Sequence, residues 1–312
     1  MARRAAGKKG RATWAWLLWP ALGLALLLSQ WARLRYPFTD NEGCLAHMAR
    51  QWAFGRGLYA DVWSNKPPLF FLPAYLLQQA FTLNETTLHL YSLSLHALDA
   101  LALFALARRW GWGPGAWVTA FAYAALIVPP LFLPWSAESD LMMQPFLLWA
   151  FWAAQGKTPG GAWLAGLLWG LAFLTKQSAV FFLPAGLAAL GWKEWPRLLR
   201  AGGGAASALA LGMGPFFLKG EGLLALRDMI GSNSGYAPGG WRFLLHAPWY
   251  RGFLARWLGW VAAVYGGFFA VFLWNWRKAR RGDPLPLLAL WALGALAAAC
   301  ASGYFFSYYF IS

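Results

Sequence analysis

The chain has 312 residues, of which 60% are hydrophobic, 18% aromatic and only 12% charged. About a quarter of the residues in ordinary soluble domains are charged, so this composition excludes a soluble globular protein. The formal net charge of +15 would suggest nucleic acid in a soluble protein. In a membrane protein it is better explained by basic cytoplasmic loops, and we expect no nucleic-acid partner.

The N-terminus is basic from Arg3 to Arg11 and is followed by an apolar run over 13–30. No small-residue cleavage site follows the run, so we interpret it as a retained first span rather than a signal peptide. Further apolar windows are long enough to cross a hydrocarbon core of roughly 30 Å. The sequence predicts an all-α polytopic membrane protein with about nine spans, at roughly 13–32, 87–107, 116–133, 139–154, 162–175, 178–191, 201–218, 253–275 and 286–302.

The first outer loop, 33–86, holds three carboxylates and a lysine within 27 positions. Thr39 and Glu42 fit a capping box that opens a helix at about 40–54, with an apolar stripe that favours the bilayer surface. The apolar segment 67–81 reaches only about 22 Å as a helix, which is short for a crossing. We therefore predict two juxtamembrane helices in this loop.

The distribution of charge supports this topology. With a cytoplasmic N-terminus, 15 of the 26 basic residues lie in short inner loops and eight of the 11 acids lie outside. Treating 67–81 as a full span would weaken that bias. We therefore expect a multi-pass protein of the cell membrane whose function lies on the extracytoplasmic face.

Asp40, Glu42, Lys66 and Lys176 are the first candidates for chemistry. Capping explains Glu42 better than Asp40, and a carboxylate at the lip of a membrane cavity can act as a general base or metal ligand. Lys66 precedes two prolines, which force it to be extended toward the cavity mouth, although a snorkelling lysine is the alternative. Lys176 lies between two short apolar runs, which predicts an outer turn whose ammonium needs an anion such as a lipid phosphate.

A second pair of acids, Glu138 and Asp140, lies at the outer end of another predicted span. The alternative for Asp140 is an N-terminal cap of the helix that follows. His89, His96 and Asp99 share one side of the second span, and we interpret them as a buried interhelical hydrogen-bonding stripe rather than a site.

Taken in order, these motifs resemble the dolichyl-phosphate-mannose–protein mannosyltransferase-like enzymes. The bacterial polyprenyl-phosphate sugar transferases and the lipid A aminoarabinose transferases belong with them. The resemblance runs from about residue 13 to 312 and rests on Asp40-Asn41-Glu42, on Gly57 to Asp61, on Asn65-Lys66-Pro67-Pro68, on Ser136 to Asp140 and on Gly166 to Lys176.

The resemblance implies one transmembrane domain, 1–312, with a glycosyltransferase C-like helical bundle. It implies inverting transfer of a sugar from a polyprenyl-phosphate-linked donor to an extracytoplasmic acceptor, which is a protein, a lipid or a glycan. Asp40 would be the base; Glu42 is the alternative, because the family commonly shows adjacent Asp-Glu. Lys66 and Lys176 would bind the donor phosphate.

The remaining site residues are also implied by the resemblance. Either Glu138 or Asp140 would be a second acid that contacts the acceptor or a metal. Tyr59, Asp61, His246 and Tyr308 would contact substrate, Tyr308 standing where relatives often carry histidine. No cofactor is required, although Asp40, Glu42, Glu138 and His246 could hold a divalent metal.

Two other functions stay open at this point. The chain could be a membrane transporter or lipid flippase, although its carboxylates cluster at one surface rather than at mid-bilayer. It could also be an inactive fragment or a non-catalytic subunit, because relatives usually continue for further spans, which suggests truncation at the C-terminus.

Overall fold

The computed structural model describes residues 15–128, 134–232 and 284–300, with a few isolated positions between 246 and 270. The described residues contain helices and no strand, so the prediction of an all-α fold is confirmed. The α-helices are α1 Leu18–Gln30, α2 Asp40–Ala53, α3 Pro68–Ala80, α4 Glu85–Arg109, α5 Gly115–Leu126, α6 Ser139–Ala154, α7 Pro159–Thr175, α8 Leu183–Leu190, α9 Trp195–Leu218, α10 Gly222–Leu226 and α11 Leu285–Cys300.

Two described helices, α4 and α9, are both long and apolar enough to cross a membrane. Helices α5, α7 and α11 and the stretch Gln177–Leu190 are apolar but shorter. The predicted span at 253–275 lies largely outside the described residues. The number of nine spans therefore stays a prediction.

Helices α2 and α3 form the pair predicted for the first outer loop. The backbone N–H of Thr39 donates to Glu42 Oε2 at 3.0 Å, and the N–H of Glu42 donates to Thr39 Oγ1 at 3.3 Å. The capping box is therefore confirmed, and it fixes the start of α2. The apolar stripe of α2, including Leu45 and Met48, is buried in the same cluster as Phe71 of α3.

Helices α7 and α9 approach each other closely because glycines lie between them. A Cβ on Gly166 would overlap the carbonyl oxygen of Ala201, and one on Gly204 would overlap that of Trp163. Small residues at such positions let two membrane helices pack backbone against backbone. This packing fixes α7, whose last residue, Thr175, directly precedes Lys176.

Helix α6 is buried along most of its length and packs against both α4 and α7. Its N-terminal end follows the segment 134–138, and Trp135, Ser136, Glu138 and Asp140 in this region are all buried. The fold therefore places the acids of the second predicted pair between the start of α2 and the end of α7.

Candidate active site

Glu42 is fully buried, and its carboxylate is already occupied by protein groups. Besides the Thr39 N–H, it accepts the backbone N–H of Ala137 at 2.9 Å, and His89 Nε2 lies 3.3 Å from Oε1. Glu42 thus joins the start of α2 to α4 and to the segment that leads into α6. A carboxylate with so many fixed partners and no exposed surface is suited to holding that segment in place.

Asp40 has the opposite environment. Its side chain is exposed, and it makes no hydrogen bond or ion pair with the described residues. Cys44 lies one helical turn later on the same face of α2. The Cys44 sulfur is close enough to Lys66 to affect the pKa of that lysine. Cys44, which shares this face of α2 with Asp40, is therefore in the neighbourhood of Lys66.

Glu138 lies beneath that face. Its Oε2 accepts a hydrogen bond from Asn41 Nδ2 at 2.9 Å, and its Oε1 accepts one from Ser136 Oγ at 3.1 Å. The pKa of Glu138 is raised to about 7, mainly by burial and also by Asp140, while Lys66 and both hydrogen bonds oppose the shift. The carboxyl can therefore exchange a proton near neutral pH.

Asp140 forms a buried ion pair with Lys176. The Lys176 Nζ lies 2.6 and 2.5 Å from the two carboxylate oxygens, and the two side chains are 2% and 11% exposed. Asp140 lies in the first turn of α6 and caps no backbone N–H, since the capping position is taken by Glu138, which makes no side-chain cap. The prediction of Asp140 as an N-terminal cap was therefore wrong, because Asp140 pairs with a lysine 36 positions away.

Lys66 lies near Glu138, Asp140 and Lys176 and forms one charged cluster with them. Its Nζ is 3.5 Å from Ser139 Oγ, in the first turn of α6. Its pKa is lowered to about 8, mainly by burial and also by Lys176, while Asp140, Glu138 and Cys44 oppose this shift. Lys66 contacts Ser139 and Lys176 contacts Asp140, so the two ammonium groups are neighbours at the start of α6, as an anion-binding pair requires.

The backbone that carries Lys66 is held by two neighbours. The hydroxyl of Tyr59 donates to the Lys66 carbonyl oxygen at 2.8 Å, and burial raises the pKa of Tyr59, so it stays a donor. Gln177 Nε2 donates to the carbonyl oxygens of Asn65 at 2.8 Å and Met229 at 3.0 Å. Gln177 therefore connects the two lysine-bearing segments, and Tyr59 supports one of them rather than exposing its hydroxyl to substrate.

The other predicted substrate contacts lie elsewhere. Asp61 is exposed, and its Oδ2 accepts the backbone N–H of Gly57 at 2.7 Å within a turn. His246 is exposed on an isolated described position, and Tyr308 lies outside the described residues. No group of three or more His, Cys, Asp or Glu side chains that could hold a metal occurs among the described residues.

An apolar groove of about 220 Å³ opens beside the cluster, between α2, α3, α7 and α9. Its lining includes Pro68, two residues after Lys66, and Leu174, two residues before Lys176. Trp52, Leu211 and Phe216 line it further, and Lys219 lies at its edge. The groove is lined mainly by apolar side chains, and two of the lining residues are close in sequence to Lys66 and Lys176, which suits an amphiphile with an anionic head.

Residues 65–217 match the family model of the dolichyl-phosphate-mannose-protein mannosyltransferases. This match covers just under half of the chain and supports the resemblance to that family. The match includes Lys66, Glu138, Asp140 and Lys176, and it begins after Asp40 and Glu42. It indicates a membrane glycosyltransferase of the mannosyltransferase-like type. No curated protein and no solved structure matches the chain.

Sequence reasoning did not single out Asn41 and Gln177, the two amides of the site. Asn41 appeared only as a departure from the family's acidic pair, yet its side chain bonds Glu138. Gln177 directly follows Lys176 at the predicted turn, and an uncharged polar residue at such a turn between apolar runs was a usable signal.

Proposed function

We propose that the protein transfers a sugar from a polyprenyl-phosphate-linked donor to an acceptor on the extracytoplasmic side of the cell membrane, with inversion at the anomeric carbon. The observation that carries this proposal is that Lys66 and Lys176 contact adjacent residues at the start of α6, Ser139 and Asp140, while Pro68 and Leu174, each two positions from one of these lysines, line an apolar groove. Two neighbouring cations fit a phosphate monoanion or diester, and the groove fits the isoprenoid chain attached to it.

In this reaction the lysines stabilise the departing charge. The acceptor oxygen forms a bond to the anomeric carbon while the bond from that carbon to the phosphate oxygen breaks, and polyprenyl phosphate leaves with the electron pair. Lys66 is held near the first turn of α6 and compensates the negative charge that develops on the phosphate. Lys176 contributes from the ion pair with Asp140.

The proton of the acceptor hydroxyl passes to Asp40 in this proposal. Asp40 is exposed and lies one helical turn before the exposed Cys44 on α2, so an acceptor from outside can reach it. Glu42 is unsuited to this role, because its oxygens are buried and already bonded to Thr39, Ala137 and His89. Glu138 is the second acid, available to the acceptor near neutral pH.

The experiment is sugar transfer in proteoliposomes with a panel of polyprenyl-phosphate sugars radiolabelled in the sugar. We expect Asp40→Asn to lower kcat by about 10²–10⁴-fold, the range of general-base catalysis. Glu85→Gln, an acid in the first turn of α4, is the matched control and should retain the wild-type rate. Unchanged transfer in Asp40→Asn would refute the assignment of Asp40 as the base. Movement of lipid or solute across the bilayer without a glycosyl product would favour a transporter.

The extracytoplasmic position of the site is tested by the exposed Cys44. A membrane-impermeant maleimide should label Cys44 in intact cells, and Cys44→Ser should abolish that labelling. Labelling that requires inverted vesicles would place the site on the cytoplasmic side and would contradict the proposed orientation.

A further inference from the structure

Three hydrogen-bonded polar side chains connect α4 and α5 and are separate from the group that contains Lys66 and Lys176. His96 and Asp99 of α4 are both 0% exposed. The Tyr123 hydroxyl oxygen of α5 lies 2.8 Å from His96 Nδ1 and 2.9 Å from Asp99 Oδ2. His96 Nε2 lies 2.6 Å from the carbonyl oxygen of Pro134. The mechanism above uses none of these side chains.

The hydrogen bonds determine where the protons can be. A carbonyl oxygen only accepts, so the Nε2 of His96 must carry a proton to bond Pro134. If the imidazole is neutral, its Nδ1 accepts from the Tyr123 hydroxyl, and the Tyr123 oxygen must then accept from a protonated Asp99. The alternative is an imidazolium and a carboxylate on either side of Tyr123.

The second oxygen of Asp99 decides between these two arrangements. Asp99 Oδ1 is buried and has no hydrogen-bond partner among the described residues. A bare carboxylate oxygen in a buried environment costs far more free energy than the bare carbonyl oxygen of a neutral carboxylic acid. In the neutral arrangement every donor of the three side chains has an acceptor, and of their acceptors only the carbonyl oxygen of the Asp99 carboxylic acid stays unpaired.

The hydrogen-bonded series of Asp99, Tyr123 and His96 ends at the segment that carries the acids of the candidate active site. Pro134 begins the described part of this segment, and Glu138 and Asp140 follow within six residues. The start of α2 holds the same segment at Ala137, through Glu42. Thus one anchor comes from α2, and the other comes from α4 through His96.

We propose that Asp99 is a protonated carboxylic acid and that Asp99, Tyr123 and His96 are positioning residues for the segment 134–140. The relay donates from Asp99 to Tyr123, from Tyr123 to His96 and from His96 to Pro134, and it holds Glu138 in register with the lysines. The protonation of Asp99 stands independently of the activity, whereas the effect on catalysis rests on the proposed function.

Infrared spectroscopy tests the protonation directly. At pH 9 the wild type should show the carbonyl stretch of a protonated carboxyl group, and the band should be absent in Asp99→Asn, whose amide preserves a donor to Tyr123. If that variant fails to fold, wild-type protein labelled with ¹³C at the aspartate carboxyl provides the same assignment through an isotope shift. Absence of a protonated aspartate band at pH 9 would overturn the proposal.

Kinetics tests the positioning. Tyr123→Phe breaks the relay in the middle and should lower kcat by about 10–100-fold, as expected for a small displacement of a reacting group, with KM for the donor changed less than about twofold. Thr119→Ala, one turn earlier on α5, is the control because its hydroxyl donates to the carbonyl oxygen of Gly115 in its own helix. A KM change as large as the kcat change, or an unchanged kcat, would refute positioning. If the wild type transfers no sugar, the proposed function fails while the infrared result still decides the state of Asp99.

Discussion

The ion pair between Asp140 and Lys176 leads to a prediction about the free energy of unfolding, and the size of the effect can be calculated from the structure. At 2.6 Å, and with an effective dielectric constant of about 20, two unit charges attract by about 6 kcal/mol. Removing both ions from water costs several kcal/mol each, so the net contribution of the intact pair is small. Removing one partner is different, because the other charge stays buried without compensation.

We therefore expect Lys176→Met and Asp140→Asn each to lower the free energy of unfolding by about 3–5 kcal/mol. The double variant should lose much less than the sum, which leaves a coupling energy of at least about 3 kcal/mol. The measurement is equilibrium unfolding in mixed detergent micelles, followed by tryptophan fluorescence. Lys157→Met is the matched control, since Lys157 is exposed, and it should change stability by less than about 0.5 kcal/mol.

The same double variant distinguishes the contribution of Lys176 to stability from its contribution to sugar transfer. It should regain most of the stability and still fail to transfer sugar, because the cation for the donor phosphate is missing. Additive losses in the two single variants would refute the coupling. Recovery of transfer together with stability would show that Lys176 serves only the fold.

The other predictions follow from single groups. Because the pKa of Lys66 is lowered to about 8, kcat/KM for the donor should fall about tenfold per pH unit above pH 8, and this fall should vanish in Lys66→Arg, whose guanidinium stays charged. Glu42→Gln should destabilise the fold by about 1–3 kcal/mol, because it leaves a buried donor unpaired. Asp40→Asn should change stability by less than about 0.5 kcal/mol from the wild type, and thermal unfolding distinguishes the two variants. Gly166→Ala should destabilise by at least about 1–3 kcal/mol through overlap with α9, while Gly202→Ala, with open space around it, should stabilise by about 0.5–1 kcal/mol.

Local spacing was sufficient to predict several elements. The capping box between Thr39 and Glu42 depends on residues three apart, and the structure contains it. A short polar interruption between apolar runs predicted a break at Lys176, and α7 ends at Thr175, directly before it. The stripe of His89, His96 and Asp99 was predicted as hydrogen-bonded and buried, which the structure confirms. In each case the pattern lies within one helix or its ends.

Partners that come from distant parts of the chain could not be predicted in this way. A carboxylate near a helix start is compatible with capping, and only the packing of α6 on α7 shows that Asp140 pairs with Lys176 instead. The carboxylate of Glu42 bonds the N–H of Ala137, 95 positions later, which no local pattern indicates. The sequence pattern therefore indicated which charged residues belong to the candidate site, and tertiary packing determined their partners.

The central claim is that Lys66 and Lys176 bind the phosphate of a polyprenyl phosphate. In the proposed reaction a polyprenyl phosphate leaves whichever sugar the donor carries. Binding of one such lipid, undecaprenyl phosphate, to the purified protein, measured by native mass spectrometry, therefore tests the claim directly. We predict saturable binding to the wild type and to Lys157→Met, and a loss of affinity of at least about 100-fold when both Lys66 and Lys176 are replaced by methionine. Equal binding by all three proteins, or none by the wild type, would contradict the account.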